Sequence, residues 1–456
     1  MNYVKINAVS DIILGGSRMK KKWMSLLAVV MLTGLLSACG SSGGNSSNEA
    51  NGNQTNLNNG NTGTQTEQPA EPEISGTVTF LTNRTDMIGK EYDDYAKRFK
   101  EKYPNAEIKF EAVTDLDKTT KLRISSGEFP DIVLIPTIPN SDLPKYFAPL
   151  DDLGLTDKIY FKDFKSYEGQ LYGISVGAST TGIVYNKKAF ADAGITEIPK
   201  TLDEFYAACE KLKANGVVPL ASNFKDQWTL YPWISEVPIS FAGNANLNND
   251  RVESDTPYTM DNAYGQGLTI IRTMYEKGYL EPDVNSTNWE QSKKDLASGK
   301  FAMYMLGNWV IPQVIDSGTA SDNVGFFPLP YDNSGTLNVV LAPDWAYGVN
   351  KNSKNLETAK AFVKWMIEES GFDDFAGFIP ILKDKEPAVP QLAEFNSYNP
   401  TYIEAVSDTN EATEVNNKAQ ITKEALVQEF VLAKDPQEVL DKYNSAWAKA
   451  KQAVMK

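Results

Sequence analysis

Apolar positions in the first part of the folded region follow two spacings, one typical of strands and one typical of helices. Residues 78–81 predict a short strand, and Tyr92, Tyr95, Phe99 and Tyr103 then recur at the spacing of one helix face. A Pro-Asn pair directly after Tyr103 is typical of a helix end. This stretch therefore predicts a strand followed by an amphipathic helix.

The alternation of strands and helices continues beyond this helix. Residues 107–113 predict a second strand, residues 116–125 a helix that ends at Gly127, and residues 131–135 a short apolar strand behind a leading acid. Because parallel strands are usually joined through helices, this β-α-β-α-β order favours a parallel sheet with helices on both faces. The first part of the chain is therefore predicted to be an α/β structure.

Further helices and a strand are indicated downstream. Thr201 and Glu204 form a capping box ahead of an apolar face that includes Cys209, so this cysteine is predicted to be buried rather than reactive. A helix through Trp289 leads into a strand over residues 301–305. The last helix begins at an Asp-Pro pair and has three apolar residues on its inner face: Leu440, Tyr443 and Trp447.

The N-terminal segment has the features of an export signal. Residues 20–22 are three lysines, and the apolar run over residues 24–38 is shorter than the roughly 20 residues that cross a bilayer. The run ends in Leu-Ser-Ala-Cys-Gly, which resembles a bacterial lipobox and implies that Cys39 becomes acylated. The alternative is an ordinary signal peptide followed by a chance cysteine. Because the lysines and the apolar run follow Met19, we expect translation to start there.

A polar segment separates this signal from the folded region. Residues 41–73 are mostly Ser, Gly, Asn, Thr and Gln, and this composition cannot offset the entropy of ordering, so it predicts a flexible tether. We assign residues 1–38 to the signal peptide and residues 39–74 to the acylated cysteine and its tether. About 380 residues remain, which is more than one hydrophobic core usually supports and indicates two domains.

Composition excludes several classes of function. The formal charge is −15, and it is −19 without residues 1–38, which carry five basic residues and one acidic residue. Such an acidic protein is a poor candidate for nucleic-acid binding, which relies on Lys and Arg. The absence of histidine excludes Ser-His-Asp and Cys-His nucleophiles and His-ligated zinc. The two cysteines, Cys39 and Cys209, predict no internal disulfide, and without an Asp-x-Asp-x-Asp-Gly loop we predict no metal site and no cofactor.

Seven short motifs along the chain carry a resemblance to a known family. They are SGEFPDI at residues 126–132, YGI at 172–174, GIVYNK at 182–187, PKTLDEF at 199–205, GKFAMYMLGNW at 299–309, GFFPLP at 325–330 and KNLETAKAF at 354–362. In this order and spacing they resemble the extracellular solute-binding proteins of ABC importers, in the sugar-binding branch that includes the maltose-binding proteins. The resemblance covers nearly all of residues 76–456.

The resemblance implies a two-lobed fold of type II, in which each lobe is a mainly parallel sheet flanked by helices and the ligand cleft lies at the hinge. By that likeness the N-lobe comprises residues 75–177 and 342–382, and the C-lobe comprises residues 178–341 and 383–456. Strands that pass between lobes suit a hinge, because they absorb small dihedral changes while each lobe moves as a body.

A sugar needs hydrogen-bond partners for its hydroxyls and a flat aromatic surface for its ring face. On the N-lobe side we expect contacts from Asn83, Arg84 and Asp86, because ligands bind at the carboxyl ends of parallel strands and this loop follows the first strand. The alternative is a solvated turn. Maltose-binding members carry an Asp-Lys pair where this chain has Arg84 and Thr85, so the resemblance does not imply maltose specificity.

Other candidates lie at or near the strands expected to pass between the lobes. Thr180 is expected at the first crossing, and Asp344 and Trp345 are expected at the returning one. Asp131 leads an apolar strand and could equally serve as a cap, Trp345 could equally be a core residue, and Phe378 is a candidate for the rim of the cleft.

The C-lobe wall is expected to supply the stacking surface. Trp309 follows a predicted strand through a Gly-Asn pair, and by the resemblance a sugar stacks at this place, with Asn308 as a polar neighbour. Asp226 and Trp228 align with the acid and the aromatic residue that the family places on the same wall. The alternative role, a core aromatic residue, fits Trp233 better than Trp228.

These observations favour a binding protein without catalytic residues. We expect a monomeric, lipid-anchored receptor on the extracellular face of the cell membrane that delivers a mono- or oligosaccharide to the permease subunits of an ABC importer. The alternative is a surface-anchored glycoside hydrolase, which needs two carboxylates about 5–9.5 Å apart. A purely structural module would leave the hinge-like crossings without a role. The negative charge and the polar candidates favour a neutral sugar as the ligand, and Arg84 keeps an acidic sugar as an alternative.

Overall fold

The computed structural model describes residues 73–455, so the predictions for the signal peptide, Cys39 and the tether lie outside the described residues. The described strands form two larger sheets and one two-stranded hairpin, β4–β5. In chain order the strands are β1 (Gly76–Thr82), β2 (Ala106–Ala112), β3 (Ile132–Leu134), β4 (Ser166–Tyr167), β5 (Gln170–Leu171), β6 (Ile174–Ser175), β7 (Ala178–Asn186), β8 (Val218–Ala221), β9 (Phe301–Gly307), β10 (Val324–Phe327), β11 (Asn338–Pro343), β12 (Ala346–Val349) and β13 (Thr401–Glu404).

Helices connect and cover these strands. In chain order the α-helices are α1 (Glu91–Lys102), α2 (Leu116–Ser126), α3 (Leu143–Tyr146), α4 (Lys187–Asp192), α5 (Leu202–Ala214), α6 (Pro232–Ser235), α7 (Val237–Ala242), α8 (Leu247–Asp250), α9 (Ala263–Glu276), α10 (Trp289–Ala297), α11 (Val310–Asp316), α12 (Leu356–Glu368), α13 (Phe372–Ala376), α14 (Pro390–Ser397), α15 (Asn410–Ala419), α16 (Lys423–Leu432) and α17 (Pro436–Val454). Short 3₁₀ helices include Thr85–Met87 and Phe224–Leu230. Within residues 73–455, no helix combines the length and apolar composition that a membrane span requires.

The N-lobe sheet has the strand order β2-β1-β3-β12-β6. Strand β1 pairs in parallel with both β2 and β3, which confirms the parallel pairing predicted from the β-α-β-α-β order. The periodicity of α1 is confirmed as well, because Tyr92, Tyr95 and Phe99 are buried against this sheet. Helix α2 ends where predicted, at Gly127, whose φ of 73° is the left-handed conformation that glycine adopts most readily.

The C-lobe sheet has the order β13-β11-β7-β9-β8, with β10 also paired to β7. Strand β7 runs antiparallel to β9, β10 and β11, while β8–β9 and β11–β13 are parallel. The C-lobe sheet is therefore mixed, which corrects the expectation of a mainly parallel sheet in this lobe. The chain enters β7 directly from β6 of the N-lobe, without a preceding crossover helix of the kind that joins parallel strands.

The C-lobe sheet has a hydrophobic core on each face. Ile183 and Met303 belong to one cluster and Val184 and Tyr304 to the other, as the two-residue period of a strand requires. The larger cluster contains the predicted inner face of α17 and also Cys209, which is fully buried. Burial raises the pKa of the Cys209 thiol, which is consistent with a packing residue.

The chain passes between the two lobes at neighbouring points. One passage joins β6 to β7, and another joins β11 to β12 through Asp344 and Trp345. A third lies at Ile379, which exchanges both backbone hydrogen bonds with Ala178, each 2.8 Å long. The polar loop after β1 lies near the C-lobe helix beside β9, because the charge of Lys293 in α10 helps to lower the pKa of Asp86.

Candidate functional site

Three tryptophans form a cluster at the edge of the C-lobe that faces the cleft. Trp228 lies in the 3₁₀ helix after β8, Trp289 is the first residue of α10, and Trp309 follows β9. The ring centroids of the three pairs are 5.4 Å (Trp228–Trp289), 5.8 Å (Trp228–Trp309) and 5.9 Å (Trp289–Trp309) apart. Trp228 is 43% exposed, so the cluster presents aromatic surface to solvent rather than closing a core. We call these three residues the indole cluster.

Trp289 was not predicted as a site residue, yet it supports the other two indoles. Its ring packs edge-on against Tyr304 at 5.5 Å, and the Lys293 ammonium lies 5.0 Å from its centroid. Its backbone N–H donates to Asp226 Oδ2 at 2.7 Å, so the predicted Asp226 orients the start of α10. The available sequence signal was Asn288, whose side chain caps α10 and therefore places Trp289 in its first turn.

Trp309 touches both lobes. It is half-buried, and it packs against the hydrophobic core of the N-lobe as well as against the C-lobe cluster beneath β9. Its indole folds back over Gly307, where a Cβ would clash with the ring nitrogen, so this turn requires glycine. The strand end and the glycine together hold the indole at the boundary between the lobes.

Charged groups lie on the N-lobe side of the cleft. Arg84 donates to both carboxylate oxygens of Asp86, from Nε at 2.9 Å and from Nη2 at 2.7 Å, and its guanidinium lies 5.9 Å from the ring centroid of Phe375. Burial alone would raise the pKa of the Asp86 carboxyl, but the ion pair with Arg84 outweighs it and the net shift is downward. The predicted neighbour Asn83 is half-buried on the same loop.

Asp344 lies at the passage from β11 to β12, near enough to Arg84 for that charge to act on its carboxyl. Its N–H donates to the carbonyl of Gly177 at 2.9 Å, and its Oδ1 accepts from the N–H of Trp345 at 2.8 Å. Burial raises the pKa of Asp344 to about 6, against the opposing effect of the Arg84 charge. Trp345 is half-buried and packs against the N-lobe core, as the alternative role of a core residue requires.

A second buried acid, Glu236, was missed by the sequence reasoning. Its Oε2 atom is buried and makes no hydrogen bond of good geometry within residues 73–455. The buried Thr181 hydroxyl lies nearby and partly opposes the rise that burial causes in the pKa of Glu236. Burial raises the pKa of Glu236 to about 7, and repulsion from Asp344 adds to this shift. Both residues line a small cavity of about 20 Å³, which has room for about one water molecule. Glu236 directly precedes α7, and acids are common at helix starts, so the sequence does not indicate that this one is partly buried.

Three predicted ligand contacts are corrected by their positions. Asp131 lies at the amino end of β3, opposite the cleft, where its carboxylate accepts from Thr79 N at 2.9 Å and from Ser353 Oγ at 2.5 Å. Phe378 is only 7% exposed and packs inside the N-lobe core. Asn308 is fully buried, and its amide is occupied by protein partners. These side chains are used by the fold itself.

Thr180 has an intermediate position among the predicted residues. It is fully buried in β7, at the first crossing as predicted, but its hydroxyl has no hydrogen-bond partner among the described residues.

Within residues 73–455, no group of three or more acidic or thiol side chains is close enough to hold a metal ion. The other predicted residues remain at least partly exposed in the loop after β1, the 3₁₀ helix after β8, the end of β9 and the passage from β11 to β12: Asn83, Arg84, Asp86, Asp226, Trp228, Trp309, Asp344 and Trp345.

Comparison with known proteins matches this arrangement to a family. Residues 85–371 match the family of bacterial extracellular solute-binding proteins. The multiple sugar-binding protein of Streptococcus mutans is 24% identical over 359 residues, which cover 76% of this chain and 79% of that protein.

Solved structures extend the comparison to the fold. BlMnBP1, the binding protein of an ABC transporter from Bifidobacterium animalis subsp. lactis solved with mannobiose, is 30% identical, with a TM-score of 0.75 over 83% of this chain and 95% of that chain. The manno-oligosaccharide-specific BlMnBP2 of the same organism, solved with mannotriose, is 29% identical with the same TM-score and coverage. These neighbours confirm the two-lobed fold, and they are binding proteins rather than enzymes, which sets the hydrolase alternative aside. The chain belongs to the family of bacterial extracellular solute-binding proteins.

Proposed function

We propose that this protein captures a short neutral oligosaccharide between its lobes and delivers it to the permease of an ABC importer. The observation that carries the proposal is the indole cluster, in which Trp228 is 43% exposed, together with the Arg84–Asp86 pair. Lys293, which lies over Trp289, is near enough to Asp86 for its charge to help lower the pKa of that carboxyl. Indole faces suit the apolar faces of sugar rings, and carboxylates and a guanidinium suit hydroxyls. Binding of the sugar would shift the population of the protein toward the closed arrangement of the lobes.

The geometry of the indole cluster favours an oligosaccharide over a monosaccharide. Trp228 and Trp309 are inclined by only 36° with centroids 5.8 Å apart. A ring held between two faces needs van der Waals contact on both sides, or about 7 Å in total, so no sugar fits between them. A sugar must instead stack along their outer faces, which together form a surface broad enough for more than one ring.

The relatives suggest which sugars to test first. The structures at about 30% identity contain mannobiose and mannotriose, and the Streptococcus mutans relative is described as a multiple sugar-binding protein. We therefore propose a manno-oligosaccharide of two or three rings as the leading ligand. A micromolar dissociation constant, about −8 kcal/mol, would allow both capture and release.

The proposal includes the placement of the protein in the cell envelope. We propose that Cys39 carries the lipid anchor, that residues 39–74 form the tether, and that one monomer docks on the permease. The proposed lobes are residues 75–177 with 342–382, and residues 178–341 with 383–456. Replacing Cys39 with alanine should then release the protein from the cell surface into the medium; retention of the variant on the membrane fraction would contradict the anchor.

Binding can be tested with the soluble chain from residue 75 onward. Thermal unfolding is measured with mannobiose, mannotriose, maltotriose, raffinose and diacetylchitobiose, and each positive result is followed by calorimetric titration. A ligand at a hundred times its dissociation constant stabilises the native state by about 2.7 kcal/mol, which is a shift of several degrees. Small-angle scattering with the same sugar should show a smaller radius of gyration. A protein that retains none of these sugars and keeps one scattering profile would refute the proposal.

A further inference from the structure

Asn308 occupies a special place in the fold, between the end of β9 and the half-buried Trp309. It was predicted as a polar ligand contact, but it is fully buried. A buried amide is stable only when its polar atoms are satisfied, since an orphaned donor or acceptor costs more than an ordinary hydrogen bond contributes. The partners of Asn308 therefore determine where this turn can lie.

Those partners come from both lobes. Asn308 Oδ1 accepts from the N–H of Thr180 at 2.8 Å, and the N–H of Asn308 donates to the carbonyl of Thr180 at 3.2 Å. On the other side, Asn308 Nδ2 donates to the carbonyl of Gly377 at 2.6 Å. Thr180 lies in β7, just after the first crossing, and Gly377 follows α13 of the N-lobe. One side chain thus joins the turn before Trp309 to the crossing strand and to the opposite lobe.

Gly377 fits this contact because it lacks a side chain. Its neighbours Ala376 and Phe378 belong to the N-lobe core, and its φ is 72°. A Cβ at this position would come within 2.6 Å of Pro312 Cγ in α11 of the C-lobe and 3.4 Å of the Asn308 carbonyl oxygen. The two lobes therefore touch here at a distance that only glycine allows.

We infer that Asn308 is a positioning residue that couples the Trp309 indole to the angle between the lobes. This inference rests on the proposed function, because it requires that a sugar stacks on Trp309. The indole follows Asn308 directly, so a ligand that moves or fixes the ring acts on the amide that holds β7 and Gly377. Loss of the Gly377 contact leaves sugar stacking possible but separates it from lobe closure.

Two glycines at the ends of α13 provide a matched test. Gly371 and Gly377 both have a φ of 72°, so alanine imposes the same backbone strain at either position. An added Cβ at Gly371 meets nothing within 4 Å, whereas at Gly377 it meets Pro312 across the lobe boundary. Gly371→Ala and Gly377→Ala should therefore lose similar thermal stability from strain, and only Gly377→Ala should also disturb the contact between lobes.

The scattering profile without sugar and the mannotriose affinity of both variants are the measurements. We expect Gly377→Ala to change the sugar-free profile and to bind mannotriose roughly tenfold more weakly, while Gly371→Ala matches the wild type in both. Asn308→Ala should reproduce the behaviour of Gly377→Ala. If Asn308→Ala does not fold, the comparison of Gly377→Ala with Gly371→Ala still tests the inference.

The outcomes separate this inference from the proposed function. If the wild type binds no sugar, the proposed function fails, and the sugar-free profiles still report on the lobe contact. If Gly377→Ala and Gly371→Ala share one sugar-free profile and one mannotriose affinity, Asn308 is a packing residue only and the inference is overturned.

Discussion

The two walls of the cleft differ in chemistry and in rigidity. The C-lobe wall presents the indole cluster, whose rings are fixed by packing on one another, on Tyr304 and on the sheet below. The N-lobe wall presents Arg84 and Asp86, which neutralise each other across two hydrogen bonds on a loop that faces solvent. Apolar contact area supplies most binding free energy, whereas charged groups mainly supply orientation and selectivity. We therefore expect the C-lobe wall to determine affinity and the N-lobe wall to determine which sugar is accepted.

The sharpest test of this comparison removes one large ring from each wall. Trp309→Ala should weaken mannotriose binding about thirtyfold or more, because a central aromatic contact in a binding site contributes 2 kcal/mol or more. Trp345→Ala removes a half-buried ring of the N-lobe and should lower the free energy of unfolding more than the affinity. Titration calorimetry and urea unfolding give the two quantities. Equal losses of affinity in both variants would contradict the assignment of stacking to the C-lobe wall.

Two acids with raised pKa values, Glu236 and Asp344, predict a pH dependence that also differs between the two lobes. Glu236 has a folded-state pKa of about 7, above its ordinary 4.5, so the folded protein holds this proton more tightly than the unfolded chain. Its stabilising effect is complete below pH 4.5 and is lost as pH rises through 7, by about 3 kcal/mol at most. Glu236→Gln should therefore match the wild type near pH 4 and melt several degrees higher at pH 8.5.

Asp344 supplies the comparison for this titration. Its pKa is raised from 3.8 to about 6, so Asp344→Asn should show the same gain in stability, already complete near pH 7. Melting temperatures measured from pH 4 to pH 9 separate the two windows. Parallel curves for the wild type and Glu236→Gln across this range would show that Glu236 is not held in the neutral form.

The elements behind these walls could be predicted where local periodicity controls them. The aromatic face of α1 and the inner face of α17 repeat within one helix, so the sequence alone identifies them. The direction of β7 could not be predicted in this way, because its partners β9, β10 and β11 come from distant parts of the chain. The direction of β7 depends on burial and on pairing between distant segments.

The same distinction holds for the site. Trp309 and Arg84 follow strand ends, which is a local signal, and both lie at the cleft. Trp289 joins the cluster only because α10 packs beside β9, and Glu236 matters only because its carboxyl is buried near Asp344. The structural role of Asn308 could not be predicted, because its amide donates to Gly377, which is distant in sequence and belongs to the other lobe.

The polar wall is tested by removing its cation. Arg84→Met keeps an unbranched apolar stem but loses the guanidinium and its ion pair with Asp86. We expect about a tenfold weaker affinity for mannotriose with a change in unfolding free energy below about 1 kcal/mol. The ranking of sugars in the panel should change as well, because Arg84 donates from a fixed fork.

Arg98 is the matched control for Arg84. It lies on α1, stacks over Trp365 at 5.0 Å and donates to the carbonyls of Glu369 and Ser370, so its hydrogen bonds hold the segment after α12 rather than Asp86. Arg98→Met should lower stability and leave the affinity unchanged. If both arginine variants retain the wild-type affinity and the same order of sugars, the N-lobe wall does not select the ligand.

The smallest effect is expected from Trp289, which shapes the C-lobe wall from behind. Trp289→Phe keeps an aromatic ring against Tyr304 but removes part of the surface on which Trp228 and Trp309 rest. We expect a threefold to fivefold weaker affinity, since a contact that only orients another contributes less than 1 kcal/mol. Trp233→Phe changes the same residue type inside the C-lobe core and should lower stability without this loss of affinity. Because Trp228 is the most exposed of the three indoles, quenching of its fluorescence by acrylamide should increase in Trp289→Phe alone. Unchanged quenching and affinity would show that Trp228 and Trp309 keep their positions without Trp289, and the cluster would then act as two independent stacking residues.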